Sequence, residues 1–291
     1  MYRCTAGAVG FLLLLAGLVS APVSAQELTP RAYWPAPVGT KAVVMGFASA
    51  SGDVLFDPSI PLYNVDSDLN AGLLAYVQTM NLWGRTSNLI VELPYVWGET
   101  RGFVGDLPAS RGFAGISDLG VTLSVNLMGA PAMNVEEFVA FRADPKPILG
   151  ASVKILAPTG EYDDGRLINE GANRWAVRGE LGYTLPLTPK WLLELEAGAL
   201  FFGDDDDFVV GKKEQDPVYS GQVHLIRRFG PGFWGSLNFN YFTGGRQTIG
   251  GDRLSDVQRN SKFGATVVYP FAKGQAIKSV SYTHLRAHET I

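Results

Sequence analysis

From residue 41 onward, hydrophobic and polar residues alternate along most of the chain, in runs of about 10 to 14 residues. The stretch FWGSLNFNYFTGG shows the pattern: one side of a strand would carry Phe233, Gly235, Leu237, Phe239 and Tyr241, and the other Trp234, Ser236, Asn238, Asn240 and Phe242. A period of two predicts β-strands. The run length suits strands that cross a bilayer at a tilt, which need roughly 9–11 residues.

Ten such strands are predicted, at residues 42–50, 69–83, 88–98, 114–128, 148–157, 173–185, 191–203, 217–229, 233–244 and 261–270. The connections alternate between short turns, such as residues 84–87, and long polar loops, such as residues 158–172. This alternation is typical of an outer-membrane barrel with tight periplasmic turns and long outer loops. The fold class predicted is therefore all-β, an antiparallel transmembrane β-barrel of the outer-membrane type.

One connection on the short-turn side is longer. Residues 129–147 contain AMNVEEFVAFR, in which Val135, Phe138, Val139 and Arg142 have helical spacing. The spacing predicts a short helix that caps the periplasmic mouth, and an irregular loop fits the same residues equally well. Two strand details also stay open: Gln78 and Thr79 favour opposite faces, and Pro94 suggests a bulge because it lacks a backbone donor.

The apolar faces are expected to meet lipid and the polar faces to line a lumen. The predicted lumen-lining residues are Glu92, Asp118, Lys154, Arg178, Glu180, Glu194, Glu196, His224, Arg228, Asn238 and Asn240. A buried charge without a partner is costly, so these charges should pair across strands. The pairs could fill a narrow lumen, or they could line a polar path for a solute. Aromatic residues near strand ends, including Trp83, Trp97 and Phe233, suit interface girdles.

Composition supports an exported membrane protein. The chain has 291 residues, a net charge of −4 and only 18% charged residues, and no basic excess suggests a nucleic-acid partner. Residues 1–25 read as a signal peptide, because FLLLLAGLV is too short to span a bilayer and Val23-Ser24-Ala25 fits a cleavage site; a membrane anchor is the alternative. The one cysteine, Cys4, lies in this segment, so the exported chain would have no thiol chemistry.

The pattern predicts three segments after the signal peptide: residues 26–40 as a periplasmic N-terminal segment, 41–279 as the barrel and 280–291 as a non-native tail. The tail is assigned because SVSYTHLRAHETI breaks the alternation and because Val280 to Ile291 resemble a translated sequencing adaptor. A genuine C-terminal tail is the alternative. About ten strands are present and residues 275–278 begin another. Bacterial barrels have even strand numbers, so the intact protein is expected to have twelve.

Several segments carry a resemblance to a known family. LTPRAYWPAPVGTKAVVMGFASASGDVLFDPSIPL resembles the start of a bacterial outer-membrane family associated with the meta-cleavage pathway of phenol degradation. The matching residues include Arg31-Ala32-Tyr33-Trp34-Pro35, Gly52-Asp53-Val54 and Asp57-Pro58-Ser59. NLWGRTSNLIVELPYVWG, GASVKILAPTGEYD and NEGANRWAVRGELGY are also similar, so the resemblance runs from about residue 28 to 278. It implies an outer-membrane barrel for uptake of aromatic or other apolar compounds.

The sequence offers no catalytic set, cofactor motif or metal site. His224 stands alone and reads as a hydrogen-bonded lumen residue. Asp204 to Asp207 cannot converge as calcium ligands do; they suit an outer loop bridged to lipopolysaccharide by divalent ions. The prediction is a non-enzymatic monomer in the outer membrane of a Gram-negative bacterium. Its partners would be outer-membrane lipid, lipopolysaccharide, the barrel-assembly machinery and a small hydrophobic or aromatic solute taken up passively. A non-transporting barrel closed by salt bridges is the alternative.

Overall fold

A computed structural model describes residues 9–16, 30–54, 62–104, 107–166, 169–255 and 257–285. Most of them form one large sheet that closes on itself. The strands of the first half are β1 (Val9–Ala16), β2 (Lys41–Val54), β3 (Leu62–Leu82), β4 (Arg85–Val104), β5 (Leu107–Ile116), β6 (Leu119–Met128) and β7 (Ile148–Ala157). Helix α1 (Val135–Ala143) lies between β6 and β7.

The strands of the second half are β8 (Ala176–Thr188), β9 (Trp191–Phe202), β10 (Lys213–Gln215), β11 (Val218–Arg228), β12 (Trp234–Gly244), β13 (Gln247–Ile249), β14 (Asp252–Arg253), β15 (Gln258–Ala272) and β16 (Gln275–Leu285). The ring runs β3-β2-β1-β16-β15-β12-β11-β9-β8-β7-β6-β4 and closes where β4 pairs with β3. Strands β10, β13 and β14 form a separate small sheet in the long loops.

All ten predicted strands are present, and the span of β7 matches the predicted one. After residue 40 the described residues form eleven crossings of the ring: the ten predicted, with β5 and β6 together making one of them, and β16, which the sequence predicts only as a beginning at residues 275–278. Strand β16 pairs with β15 as far as Leu285, across the boundary predicted at residue 280. The alternation of short and long connections also places α1 at the end of the barrel that carries the short turns, which face the periplasm in this class.

The twelfth position in the ring is filled by β1. It lies between β2 and β16 and runs parallel to both. Parity explains why the two sides are alike: an odd number of antiparallel crossings leaves β2 and β16 running in the same direction, so a strand between them has the same orientation relative to both. Cleavage after Ala25 would remove β1. This cleavage stays a prediction, because residues 17–29 lie outside the described residues. An open edge between β2 and β16 is not tolerated in lipid, so this position requires a strand.

The two faces of the sheet differ as predicted. On β9, Leu195 and Phe201 are 45% and 50% exposed, whereas Glu194 and Glu196 are buried inside the ring. On β12, Leu237, Phe239 and Tyr241 face outward, and Ser236, Asn238 and Asn240 face inward. Because an isolated barrel exposes its lipid-facing side chains, an exposed apolar row beside a buried polar row is the pattern of a membrane barrel.

The structure resolves the two open strand details. Thr79 is buried and faces inward, while Gln78 faces outward and its Oε1 accepts a hydrogen bond from Tyr76. Pro94 pairs with Leu73 without a register shift, but on its other side the register shifts by one residue between the Glu92–Gly120 and Tyr95–Ile116 pairs, so the predicted bulge is present in the pairing at Pro94. The irregularity lies in the neighbouring crossing, where β5 ends and β6 begins, and the amide of Ser117 donates to the Pro94 carbonyl. A proline is tolerated there because the partner strand is already interrupted.

The inner face of β12 has an aromatic residue at each end, Trp234 and Phe242. Both are buried inside the barrel. Trp234 belongs to a periplasmic cluster of Tyr33, Trp34, Ala130, Met133, Ile148, Leu192, Ile226, Trp234 and Val268. Phe242 belongs to an outer cluster of Ala176, Leu200, Val218 and Phe242. The lumen therefore has an apolar zone at each end and a polar zone between them.

Helix α1 is present where the helical spacing predicts it. Its N-terminus has a capping box in which the Asn134 side chain accepts from the Glu137 amide and the Glu137 carboxylate accepts from the Asn134 amide. Phe138 and Phe141 pack against the periplasmic cluster. Within the described residues, α1 and the rest of the chain provide no helix that is long and apolar enough to cross a membrane.

Candidate transport lumen

Residues 30–40 enter the periplasmic end of the lumen before β2 begins. The Arg31 amide donates to Glu194 Oε2 at 2.6 Å, and the Asn126 side chain donates to the Tyr33 carbonyl at 3.0 Å. The Arg31 guanidinium lies between the Trp34 and Trp234 rings, at 4.8 and 4.9 Å from their centroids. Arg31 has a φ of +70°, which is uncommon outside glycine, so these contacts hold a backbone conformation that the free chain would rarely adopt.

Tyr33 occupies a site that we call the Tyr33 pocket, formed by Gly150, Ser152, Glu180 and Gly182 on the inner face of β7 and β8. Gly150 lies opposite Gly182, and Ser152 opposite Glu180. A Cβ atom on either glycine would stand 2.1 Å from the Tyr33 ring, so the ring rests directly on both backbones. The hydroxyl lies 3.1 Å from Ser152 Oγ and donates to Glu180 Oε1 at 3.2 Å.

The environment of Tyr33 keeps its hydroxyl protonated. Burial and the neighbouring Glu180 carboxylate both raise the pKa of Tyr33, because each disfavours a phenolate. The hydroxyl is therefore available as a hydrogen-bond donor to the carboxylate, which explains why an acidic residue and a tyrosine can share this enclosed site.

The periplasmic mouth is covered by α1 and by Arg228. The Arg228 guanidinium donates to the Pro189 carbonyl at 2.9 Å and to the Arg142 carbonyl at 2.8 Å, and it lies over the Trp34 ring at 5.1 Å. Phe141 contacts the same ring from the helix. Arg228 thus fastens the helix, the β8–β9 turn and residues 30–40 together, and its part in the lumen is structural.

The polar zone contains most of the predicted lumen-lining charges in pairs. Glu92 pairs with Lys154 across β4 and β7, and Arg178 pairs with Glu180 along β8 at 2.6 Å. Glu194 accepts from Thr184 at 3.1 Å in addition to the Arg31 amide. These contacts place five of the predicted residues on the inner wall, and Glu92 pairs with Lys154 across strands as predicted.

His224 and its neighbours form the deepest part of this zone. His224 Nε2 lies 3.6 Å from Glu196, and its Nδ1 lies 2.9 Å from the Asn238 side chain, which also contacts Ser236 and Thr266. Asn240 is fully buried, and among the described residues its side-chain amide has no hydrogen-bond partner. Buried polar side chains of this kind are the groups to which ordered water binds.

Asp118 lies apart from these groups, at the junction of β5 and β6. Its two carboxylate oxygens accept from the amides of Gly160 and Ala172, both at 2.9 Å. Asp205, one of the four consecutive aspartates, is likewise buried and accepts from Tyr162 and Asn173. These two carboxylates hold the outer loops in place.

We expect Asp118→Ala to loosen the loop of residues 158–175, because two backbone donors lose their acceptor at about 1–3 kcal/mol each. Trypsin cleavage after the exposed Arg166 should then be faster than in the unsubstituted protein. Asp164→Ala, which changes an exposed carboxylate of the same loop, is the matched control. Equal cleavage rates for the two variants would contradict the role of Asp118.

Sequence reasoning missed the residues that fill the periplasmic end: Arg31, Tyr33, Trp34, Gly150 and Gly182. Two signals were available. Glycines stand at inward positions of two consecutive strands, where a side chain would otherwise fill the lumen. An aromatic and basic segment, RAYW, directly precedes the first crossing. Neither signal gives the register that brings Gly150 opposite Gly182.

Fold and lumen together define a class: an outer-membrane β-barrel. A comparison with solved structures finds the crystal structure of the COG4313 outer membrane channel from Pseudomonas putida F1, with 25% identity and a TM-score of 0.68; the match covers 84% of this chain and 88% of that one. Residues 48–287 match the family described as "Putative MetA-pathway of phenol degradation", and the chain belongs to this family. A comparison with curated proteins finds no match.

Proposed function

We propose that this protein is an outer-membrane channel that admits small apolar or aromatic solutes by passive diffusion. The observation that carries the proposal is the inner wall: a polar, charge-bearing zone lies inside a ring whose outer face is apolar. A wall of this kind suits a hydrated path. The solved relative is named as an outer membrane channel, which favours transport over catalysis. The family description refers to phenol degradation, which favours an aromatic solute.

The proposal extends to the cellular setting. The N-terminal apolar segment supports export through a signal peptide; after cleavage another strand would have to take the position of β1 between β2 and β16. The outward apolar band supports insertion by the barrel-assembly machinery beside lipopolysaccharide as a monomer. Arg178, Glu180, Glu196, His224, Asn238 and Asn240 would line the solute path. Asp118 and Arg228 would hold the loops and the periplasmic mouth.

A second candidate function has a specific observation in its favour. Tyr33, Trp34 and α1 fill the periplasmic end of the lumen, as expected for a barrel that does not transport. The two candidates differ in whether residues 30–40 can leave their position.

A flux measurement tests the proposal. Purified protein reconstituted in liposomes that contain lipopolysaccharide should admit toluene and p-cresol faster than protein-free liposomes of the same composition do, because the protein supplies a path that avoids the lipopolysaccharide leaflet. Single-channel recordings in planar bilayers would report openings for ions in parallel. Flux equal to that of protein-free liposomes, with no openings, would favour the non-transporting barrel.

A further inference from the structure

We propose that the Tyr33 pocket is a binding site for phenolic solutes, and that Tyr33 occupies it as a competitor within the same chain. The proposal rests on the proposed channel function, because the solute would reach this pocket through the lumen. The Tyr33 side chain is itself a para-substituted phenol. The pocket that holds it is therefore, by construction, complementary to a free ligand of that shape.

The pocket has a flat floor and a polar end. Gly150 and Gly182 face each other on adjacent strands, and the missing side chains leave room for one aromatic ring against the two backbones. Ser152 lies two residues after Gly150 on β7, and Glu180 lies two residues before Gly182 on β8. Ser152 and Glu180 face each other and contact the hydroxyl. The floor fits an aromatic ring and the polar end fits a hydroxyl. The register between β7 and β8 therefore provides contacts for both parts of a phenol.

The charge of the pocket selects among aromatic solutes. Glu180 Oε2 is held by Arg178 at 2.6 Å and by Gln222 at 3.4 Å, which leaves Oε1 directed at the hydroxyl of the ring. A phenol donates a hydrogen bond to this oxygen. An aromatic carboxylate would place a second negative charge beside it, and a hydrocarbon would leave the buried carboxylate oxygen without its donor.

Competition by Tyr33 links binding to opening. A ring tethered to the wall of its own pocket has an effective concentration on the order of millimolar, so a free phenol must reach similar concentrations to displace it. Displacement would draw Tyr33, and with it Arg31 and Trp34, away from the periplasmic cluster. The lumen would then hydrate, and buried groups such as the Asn240 amide, which has no partner among the described residues, would gain one.

Binding of p-cresol to the purified full-length protein, followed by isothermal titration calorimetry, tests the proposal. Tyr33→Ala should bind p-cresol roughly tenfold or more tightly than the unsubstituted protein, because the competing ring is gone. Tyr33→Phe keeps the ring but loses the hydroxyl that donates to Glu180, so its affinity for p-cresol should lie between those of the unsubstituted protein and Tyr33→Ala. Benzoate and toluene should bind Tyr33→Ala at least about tenfold more weakly than p-cresol, since each lacks the neutral hydroxyl donor.

A pair of glycine variants locates the site. Gly182→Leu in the Tyr33→Ala background fills the pocket and should abolish p-cresol binding. Gly179→Leu, on the same strand, is the matched control, because a Cβ at Gly179 meets no atom within 4 Å and points outward. Heat-modifiable electrophoretic mobility would verify folding of each variant. Equal affinity in Tyr33→Ala and the unsubstituted protein, or p-cresol binding that survives Gly182→Leu, would overturn the proposal.

Flux separates this inference from the channel function. Tight p-cresol binding by Tyr33→Ala without flux through any variant would support the pocket and reject the channel. Flux in all variants with no change in p-cresol affinity would support the channel and reject the pocket.

Discussion

Leu181→Arg should destabilise the membrane-inserted protein by about 2–4 kcal/mol, the cost of arginine at the bilayer midplane on the lipid face of a barrel. Leu181 lies near the middle of β8 and is 56% exposed on the outer face. The guanidinium there cannot reach the lumen, because side chains on the two faces of a strand point in opposite directions. Urea unfolding in lipid vesicles, followed by tryptophan fluorescence, measures the effect.

The same strand provides a control. Leu187 is also on the outer face and is 52% exposed, but it lies at the periplasmic end of β8, next to the turn. Leu187→Arg should cost only about 0–1 kcal/mol, because the guanidinium reaches the interface there. If both variants lose the same stability, or if neither does, the outer face of β8 is not in hydrocarbon and the membrane assignment fails.

The barrel was predictable because its two faces meet different solvents. Lipid outside and a polar lumen inside impose a period of two on every crossing, and this period is visible in single strands such as β7 and β12. Strand bounds were less accurate where the strands extend beyond the membrane: β3 and β4 each continue well past the predicted alternation. Outside the bilayer both faces are wet, so the alternation that marks a strand fades.

The site was predictable only in part, because its decisive contacts are not periodic. Residues 30–40 have no regular structure, and the Tyr33 hydroxyl contacts Ser152 and Glu180, which are 119 and 147 positions away in sequence. Inward positions were identified, as for Glu194 and His224. The sequence did not show whether an inward carboxylate pairs with a cation or holds a loop in place. Asp118 is the example, because its role depends on which loop amides reach its carboxylate.

The paired charges of the inner wall should be the most costly polar groups to disturb. Glu92→Leu removes the carboxylate that faces Lys154, and both side chains are largely buried. An uncompensated buried charge costs about 3–5 kcal/mol. We expect this loss in urea unfolding of the reconstituted protein. The exposed pair of Asp144 and Lys146 is the matched control, and Asp144→Ala should have little effect because solvent screens that pair.

A double variant separates pairing from packing. Glu92→Leu with Lys154→Met replaces both charges by apolar groups of similar volume and should recover most of the lost stability, since a buried ion pair often contributes little net stability over such a replacement. Recovery would mean that the pair is not required for folding and is available for a role in conduction. Single-channel recordings of the double variant would then differ from those of the unsubstituted protein. If the double variant is as unstable as Glu92→Leu, the wall depends on the carboxylate itself, and a lumen filled by structural ion pairs becomes the better description.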